Sequence, residues 1–183
     1  MLKEPRPGRV KTRLGREIGM IEAAQWFRHQ SSALLRRLRD PRWELMLAVA
    51  PHAGRRSAQW PGDLPRIPQG DGSLGDRMGR VFRSLPPGPV CIIGADVPGI
   101  DRPHIARAFA ALGARDAVFG PALDGGYWLV GLKRTRAVPA GLFEGVRWSS
   151  PHALADSRAT LGDASVALVD TLRDVDTAAD LRA

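Results

Sequence analysis

Cysteine is almost absent from this 183-residue chain. Cys91 stands alone inside the apolar run Val90-Cys91-Ile92-Ile93, a setting for a buried inert thiol and not for a nucleophile or a disulfide framework. Lysine is nearly as scarce: only Lys3, Lys11 and Lys133 occur, so arginine supplies most of the 27 basic residues set against 19 acidic ones, for a net charge of +8. No run of five or six cations and no alternating aromatic platform is present, which argues against a dedicated nucleic-acid reader and leaves an attraction for phosphorylated ligands. No stretch approaches the roughly 18 apolar residues of a membrane span. The start, Met1-Leu2-Lys3-Glu4-Pro5, lacks the apolar core of a signal peptide, so a cytoplasmic protein without a membrane partner is expected. Gly-x-Ser-x-Gly, Gly-x-x-x-x-Gly-Lys-Ser/Thr and a strand-borne Gly-x-Gly-x-x-Gly are all missing, which removes support for serine hydrolases, P-loop enzymes and dinucleotide binders. His29, His52, His104 and His152 show no metal-ligand spacing.

What remains is an ordinary globular composition, 44% hydrophobic and 25% charged, enough for one domain spanning residues 1–183 to bury roughly 70% of its unfolded surface. Apolar residues recur at helical spacing from Ile18 to about Arg39, from Leu74 to Leu85 and from Ile105 to Leu112, and Pro151 to Leu161 also reads as helix. Strands are expected at Leu45 to Ala50, Val90 to Ile93, Ala117 to Phe119, Tyr127 to Leu132 and Val166 to Val169. This alternation predicts an α/β protein, a three-layer α/β/α sandwich with a mostly parallel sheet, whose ligands bind beyond the carboxyl ends of the strands.

Four stretches carry candidate chemistry. Pro5 to Gly15 is a proline-stiffened basic loop ahead of a helix. Gly8 lets backbone amides approach an anion, while Arg9, Lys11, Thr12 and Arg13 offer cations and donors for phosphate, unless the loop is simply solvated. Asp96, just beyond the strand ending at Ile93, is placed to ligate Mg²⁺ or Mn²⁺ together with substrate phosphates, or to cap a turn. Asp124-Gly125-Gly126 reads as a hairpin turn that would present Asp124 and two main-chain amides to a ligand, with Trp128 in the core. Asp176 within Asp174-Val175-Asp176-Thr177-Ala178-Ala179-Asp180 reads first as a helix cap with an acidic first turn, and second as a further metal ligand. The glycine-rich turn from Gln69 to Met78, with Gly75 and Arg77, either lies against a base or ribose or caps the helix behind it.

In this order the motifs resemble a bacterial family of glycosyltransferase-A-fold, nucleotide-diphospho-sugar-transferase-like proteins associated with radical-SAM and selenocysteine-containing domains. The stretches that carry the resemblance are Lys3 to Leu14, Leu74-Gly75-Asp76-Arg77-Met78, Asp96-Val97-Pro98-Gly99, Gly120 to Leu132 and Asp174-Val175-Asp176-Thr177. More distantly the chain is similar to the guanylyltransferases of molybdenum-cofactor and 2-phospho-lactate (deazaflavin-cofactor) assembly. Those relatives usually supply a later lysine from the basic loop, where this chain has Gly15-Arg16-Glu17-Ile18. Family members also carry a full apolar strand before the Lys-x-Pro motif, so a shortened first strand is expected here.

The resemblance implies a metal-dependent transferase that passes a group from a nucleotide-activated sugar to a small-molecule acceptor. Asp96, with Asp124 or Asp176, would hold Mg²⁺ or Mn²⁺ across the diphosphate, and Lys11 and Arg13 would neutralise the leaving nucleoside diphosphate. Asp124 could instead be the base for the acceptor hydroxyl. Two alternatives stay open: nucleotidyl transfer from a nucleoside triphosphate (GTP or CTP) with release of pyrophosphate, and non-catalytic binding of acidic ligands or nucleic acid through the arginines.

Overall fold

The structure, a computed structural model, describes residues 1–182. The chain folds as two compact units. The first comprises Met1–Gln69, Gly94–Arg102 and the stretch from Arg173 onward, and the second comprises Gly70–Ile93 and Pro103–Leu172.

The first unit is built on three parallel strands in the order β1 (Leu2–Lys3), β2 (Leu47–Ala50) and β3 (Arg66–Pro68). Every residue of β2 is buried, as befits the central strand of a parallel sheet. The helix expected from Ile18 to about Arg39 is α2 (Met20–Arg37), and a further short helix, α1 (Thr12–Ile18), precedes it, the two separated by Gly19 at φ +102°. A positive φ is the conformation glycine alone takes freely, so the chain bends there. Leu14, Ala23 and Val175 form a small buried cluster beneath α1, joined by half-buried Ile18, Trp26 and Ala178. The inward face of α2 carries Phe27, Leu34 and Leu35. Gln69 follows β3 and stitches the sheet, its side-chain nitrogen donating to the carbonyls of Leu2 at 2.8 Å and Ala48 at 2.9 Å.

The second unit holds four strands in the order β4 (Val90–Ile93), β6 (Tyr127–Leu132), β5 (Ala117–Pro121) and β7 (Val166–Leu168). β6 runs antiparallel to both neighbours, and β5 pairs with β7 in parallel, so three of the five strand pairings among the described residues are parallel. Its helices are α3 (Leu74–Ser84), α4 (Arg102–Ala114) and α5 (Ala153–Ala159). A reciprocal capping box opens α3: the Ser73 hydroxyl accepts from the Asp76 amide, and the Asp76 carboxylate accepts from the Ser73 amide. Phe82, Leu112, Val118, Phe119, Leu129 and Val130 fill the core, and Trp128 is buried as expected, its indole N–H on the Asp170 carbonyl at 2.8 Å. Burial pushes the Cys91 thiol up to about 12, in keeping with an inert role. Among the described residues no helix is long and apolar enough to cross a membrane.

Candidate functional site

The basic segment is more ordered than a solvated loop. Gly8 turns the chain at φ +73°, the Arg9 amide donates to the Arg6 carbonyl at 3.0 Å, and Val10 is buried. Lys11 then adopts left-handed backbone geometry, φ 45° and ψ 48°, directly ahead of α1. That conformation costs a non-glycine residue on the order of 1–2 kcal/mol. It accompanies a side chain that is only 7% exposed, although it carries a full charge.

Two carboxylates balance that charge. The Lys11 ammonium lies 2.6 Å from Asp96 Oδ2 and 2.8 Å from Asp176 Oδ1. Arg13, largely exposed on the first turn of α1, reaches the other oxygen of Asp176 at 3.1 Å. Burial disfavours the lysine cation. The charge of Asp96, the hydrogen bonds to Asp176 and Asp96 and the charge of Asp176 outweigh it, so the ammonium is held above the ordinary lysine range. The two aspartates are about one-third exposed, whereas the lysine reaches them from the protein side.

Both acidic segments are anchored by their neighbours. Ala95, Val97 and Ile100 are buried around Asp96, and the Asp96 carbonyl accepts from the Val175 amide. Val175 is itself buried, which fixes the residue before Asp176. The expectation that Asp176 caps a helix is corrected here. No helix starts at Asp176; the turn there is closed by Asp180, whose Oδ2 accepts from the amides of Asp176 and Thr177 and from the Thr177 hydroxyl. This leaves the Asp176 side chain for Lys11 and Arg13. Glu17, which the sequence did not single out, accepts from the Ala178 amide at 2.7 Å and ties the same strap to α1. A tertiary bond of this kind has no local signature.

Gly8, Arg9, Thr12 and Gln69 belong, like this cluster, to the first unit. Thr12 begins α1 and is exposed, as are Arg9 and Arg16. Gln69 is buried, with its side-chain donor engaged by Leu2 and Ala48. Gly75, Arg77, Asp124, Gly125 and Gly126 belong to the second unit. A Cβ on Gly75 would come 2.7 Å from Phe143 Cβ, so a packing requirement accounts for that glycine. Arg77 Nε donates to the Gly72 carbonyl at 3.0 Å. The two amides expected to face a ligand are spent inside the hairpin: Gly125 N–H donates to the Ala122 carbonyl and Gly126 N–H to Asp124 Oδ1. The Asp124 carboxylate thus serves its own turn, on an exposed tip.

Within the first unit, Lys11, Arg13, Asp96 and Asp176 are the site residues brought together. Among the described residues no group of three or more His, Cys, Asp or Glu side chains converges as a complete metal cage. Two carboxylates converging on one cation position do suit Mg²⁺ or Mn²⁺, hard ions bound through one or two carboxylates with phosphate oxygens and water completing the shell.

The mixed α/β fold is of the nucleotide-diphospho-sugar-transferase-like kind. The chain belongs to the family described as "Uncharacterized protein conserved in bacteria (DUF2064)", whose model matches residues 33–150. Lys11, Arg13 and Asp176 lie outside the matched segment and Asp96 lies within it. The crystal structure of a proposed nucleotide-diphospho-sugar transferase from Desulfovibrio desulfuricans G20 is similar, with 28% identity and a TM-score of 0.84 over 98% of this chain and 81% of that one. Two further structures share the fold at lower identity. The Mycobacterium sp. strain JC1 homolog of Rv0371c has 16% identity and a TM-score of 0.55, over 85% of this chain and 79% of that one. Rv0371c of Mycobacterium tuberculosis H37Rv has 15% identity and a TM-score of 0.53, over 85% and 81%. No curated protein matches the chain.

Proposed function

We propose that the protein is a transferase that takes a nucleotide-activated sugar and hands the glycosyl group to the hydroxyl of a small acceptor. The observation that carries this reading is the convergence of Lys11, Asp96 and Asp176 from three distant stretches of chain, with Arg13 beside them. The likeness to the Desulfovibrio protein supports the substrate class. The motif resemblance to transferases associated with radical-SAM and selenocysteine-containing domains supports the finer family placement.

In this reaction the bond from the sugar's anomeric carbon to the diphosphate breaks, a bond to the acceptor oxygen forms, and the acceptor hydroxyl gives up its proton. Negative charge grows on the departing diphosphate, and compensating it is the main catalytic demand. Lys11 supplies a compact point charge, and Arg13 a planar fork that suits two phosphate oxygens. Asp96 and Asp176 would hold a divalent cation, which when bound screens the same diphosphate charge. The exposed donors of Arg9 and Thr12 and the turn at Gly8 would complete the phosphate end of the site.

The test is thermal unfolding with Mg²⁺ or Mn²⁺ against nucleotide sugars, nucleoside diphosphates, GTP, CTP and RNA. A ligand at about 100 times its Kd stabilises by roughly 2.7 kcal/mol, which raises the midpoint of a chain this size by about 5–10 °C. A metal-dependent rise with one nucleotide sugar and its diphosphate is expected. Preference for a triphosphate, with release of pyrophosphate, would reassign the reaction to nucleotidyl transfer. Metal-independent binding that falls steeply with salt would make the protein a non-catalytic binder of polyanions.

A further inference from the structure

The Lys11 ammonium sits where a divalent cation held by Asp96 and Asp176 would have to sit. It engages Asp96 Oδ2 and Asp176 Oδ1, while Arg13 engages Asp176 Oδ2. Three of the four carboxylate oxygens thus already face a cation belonging to the chain itself. We infer that Lys11 gates the metal: its ammonium competes with the divalent cation for the two aspartates, and a diphosphate lifts the competition by drawing the ammonium onto its own oxygens.

The inference rests on the transferase reading for the diphosphate and on the cluster's geometry for the competition. Lys11 is 7% exposed and its two partners about one-third exposed, so an incoming ion meets the carboxylates first and must displace a cation that is already seated. Among the described residues no third acidic or histidine ligand adds to what the ion would gain. Magnesium in particular gives up its water reluctantly, so two carboxylates already neutralised offer little to an ion arriving alone. A diphosphate changes the balance twice, because it accepts hydrogen bonds from the lysine and supplies oxygens to the metal. Metal and diphosphate should therefore strengthen each other's binding by the same factor, as linkage requires. Lysine suits the role better than arginine would: its charge is a point on a flexible four-carbon stem that can change partners without a matched planar acceptor.

The experiment measures Mn²⁺ binding from the electron paramagnetic resonance signal of free Mn²⁺, using the full chain with and without inorganic pyrophosphate. Wild type, Lys11→Met and Lys11→Gln are compared. Without pyrophosphate, both variants should bind Mn²⁺ at least about tenfold more tightly than wild type, within the usual range of coupling between two sites. Pyrophosphate should strengthen Mn²⁺ binding to wild type by at least about fivefold more than to either variant, and this ratio cancels the chelation of Mn²⁺ by pyrophosphate common to all three. Mn²⁺ should also raise the thermal midpoint of the variants more than that of wild type, which reports on the site even in a weakened fold. Equal Mn²⁺ affinity in wild type and variants overturns the gate and leaves the transferase reading standing, as does wild-type binding that is as tight without pyrophosphate as with it. Absence of Mn²⁺ binding in all three proteins, with pyrophosphate present, overturns both.

Discussion

Lys11 donates a 2.8 Å hydrogen bond to Asp176 across 165 residues of sequence. The two ends of the chain thereby meet over Asp96, and the cluster exists only once the first unit has closed.

Asp96→Asn removes the charge facing Lys11 while keeping the shape of the side chain. Metal-dependent nucleotide binding is expected to disappear, and any transferase turnover to fall by about 10²- to 10³-fold, the usual loss of one preorganised electrostatic contact. The thermal midpoint should move by only a few degrees, because Asp176 still balances the lysine. Ligand-induced thermal shifts on the variant check both statements, and unchanged binding would remove Asp96 from the site.

Gln69→Leu separates a structural from a ligand-binding role for that residue. The glutamine serves the carbonyls of Leu2 and Ala48 from a buried position, so the substitution withdraws a shared donor without opening a cavity. A loss of about 1–3 kcal/mol is expected in urea unfolding. Nucleotide affinity measured well below the unfolding transition should stay the same.

Gly131→Ala tests the packing of β6. A Cβ there would come 2.7 Å from Val118 Cγ1, 2.8 Å from Cys91 Sγ and 3.2 Å from Leu112 Cδ1. Two of these neighbours lie on the flanking strands and one on α4, and side chains on more than one element must shift to admit the methyl group. Overpacking of this kind costs about 1–3 kcal/mol. Differential scanning calorimetry should record a lower midpoint, and the Cys91 thiol should become more reactive toward a thiol reagent.

Asp156→Asn should flatten the acid limb of the stability curve. The Arg147 guanidinium, joined by the Arg147 amide, holds the Asp156 carboxyl well below the usual carboxylate range. A depressed folded-state value contributes stability that is present above the unfolded value near pH 4 and is lost as pH falls further. Wild type should therefore lose stability below about pH 4 more steeply than the variant in acid titrations followed by circular dichroism.

Much of this architecture was legible from hydrophobic runs. β4 and β6 fall on the expected residues because Val90-Cys91-Ile92-Ile93 and Tyr127 to Leu132 carry no charged residue and follow directly on Pro89 and Gly126. β3 was invisible: Arg66-Ile67-Pro68 is three residues with a cation at one end and a proline at the other, and it is a strand only because β2 lies beside it. α1 was absorbed into the basic loop, since only Leu14 and Ile18 mark its inner face and Gly15 interrupts them. Lys11 and Asp96 were each suspect from their local motifs. Nothing local linked either to Asp176, whose neighbourhood reads first as a helix cap, whereas the carboxylate that serves the local amides is that of Asp180.

The seven residues of α1 are too few to stay helical on their own in water, where isolated helices shorter than about 12 residues are marginal. Its persistence is borrowed from Leu14, wedged against Ala23 and Val175. The charged cluster therefore inherits its precision from an oily pin beside it. Wear at that pin, such as Val175→Ala, should blunt ligand recognition without altering a single charge.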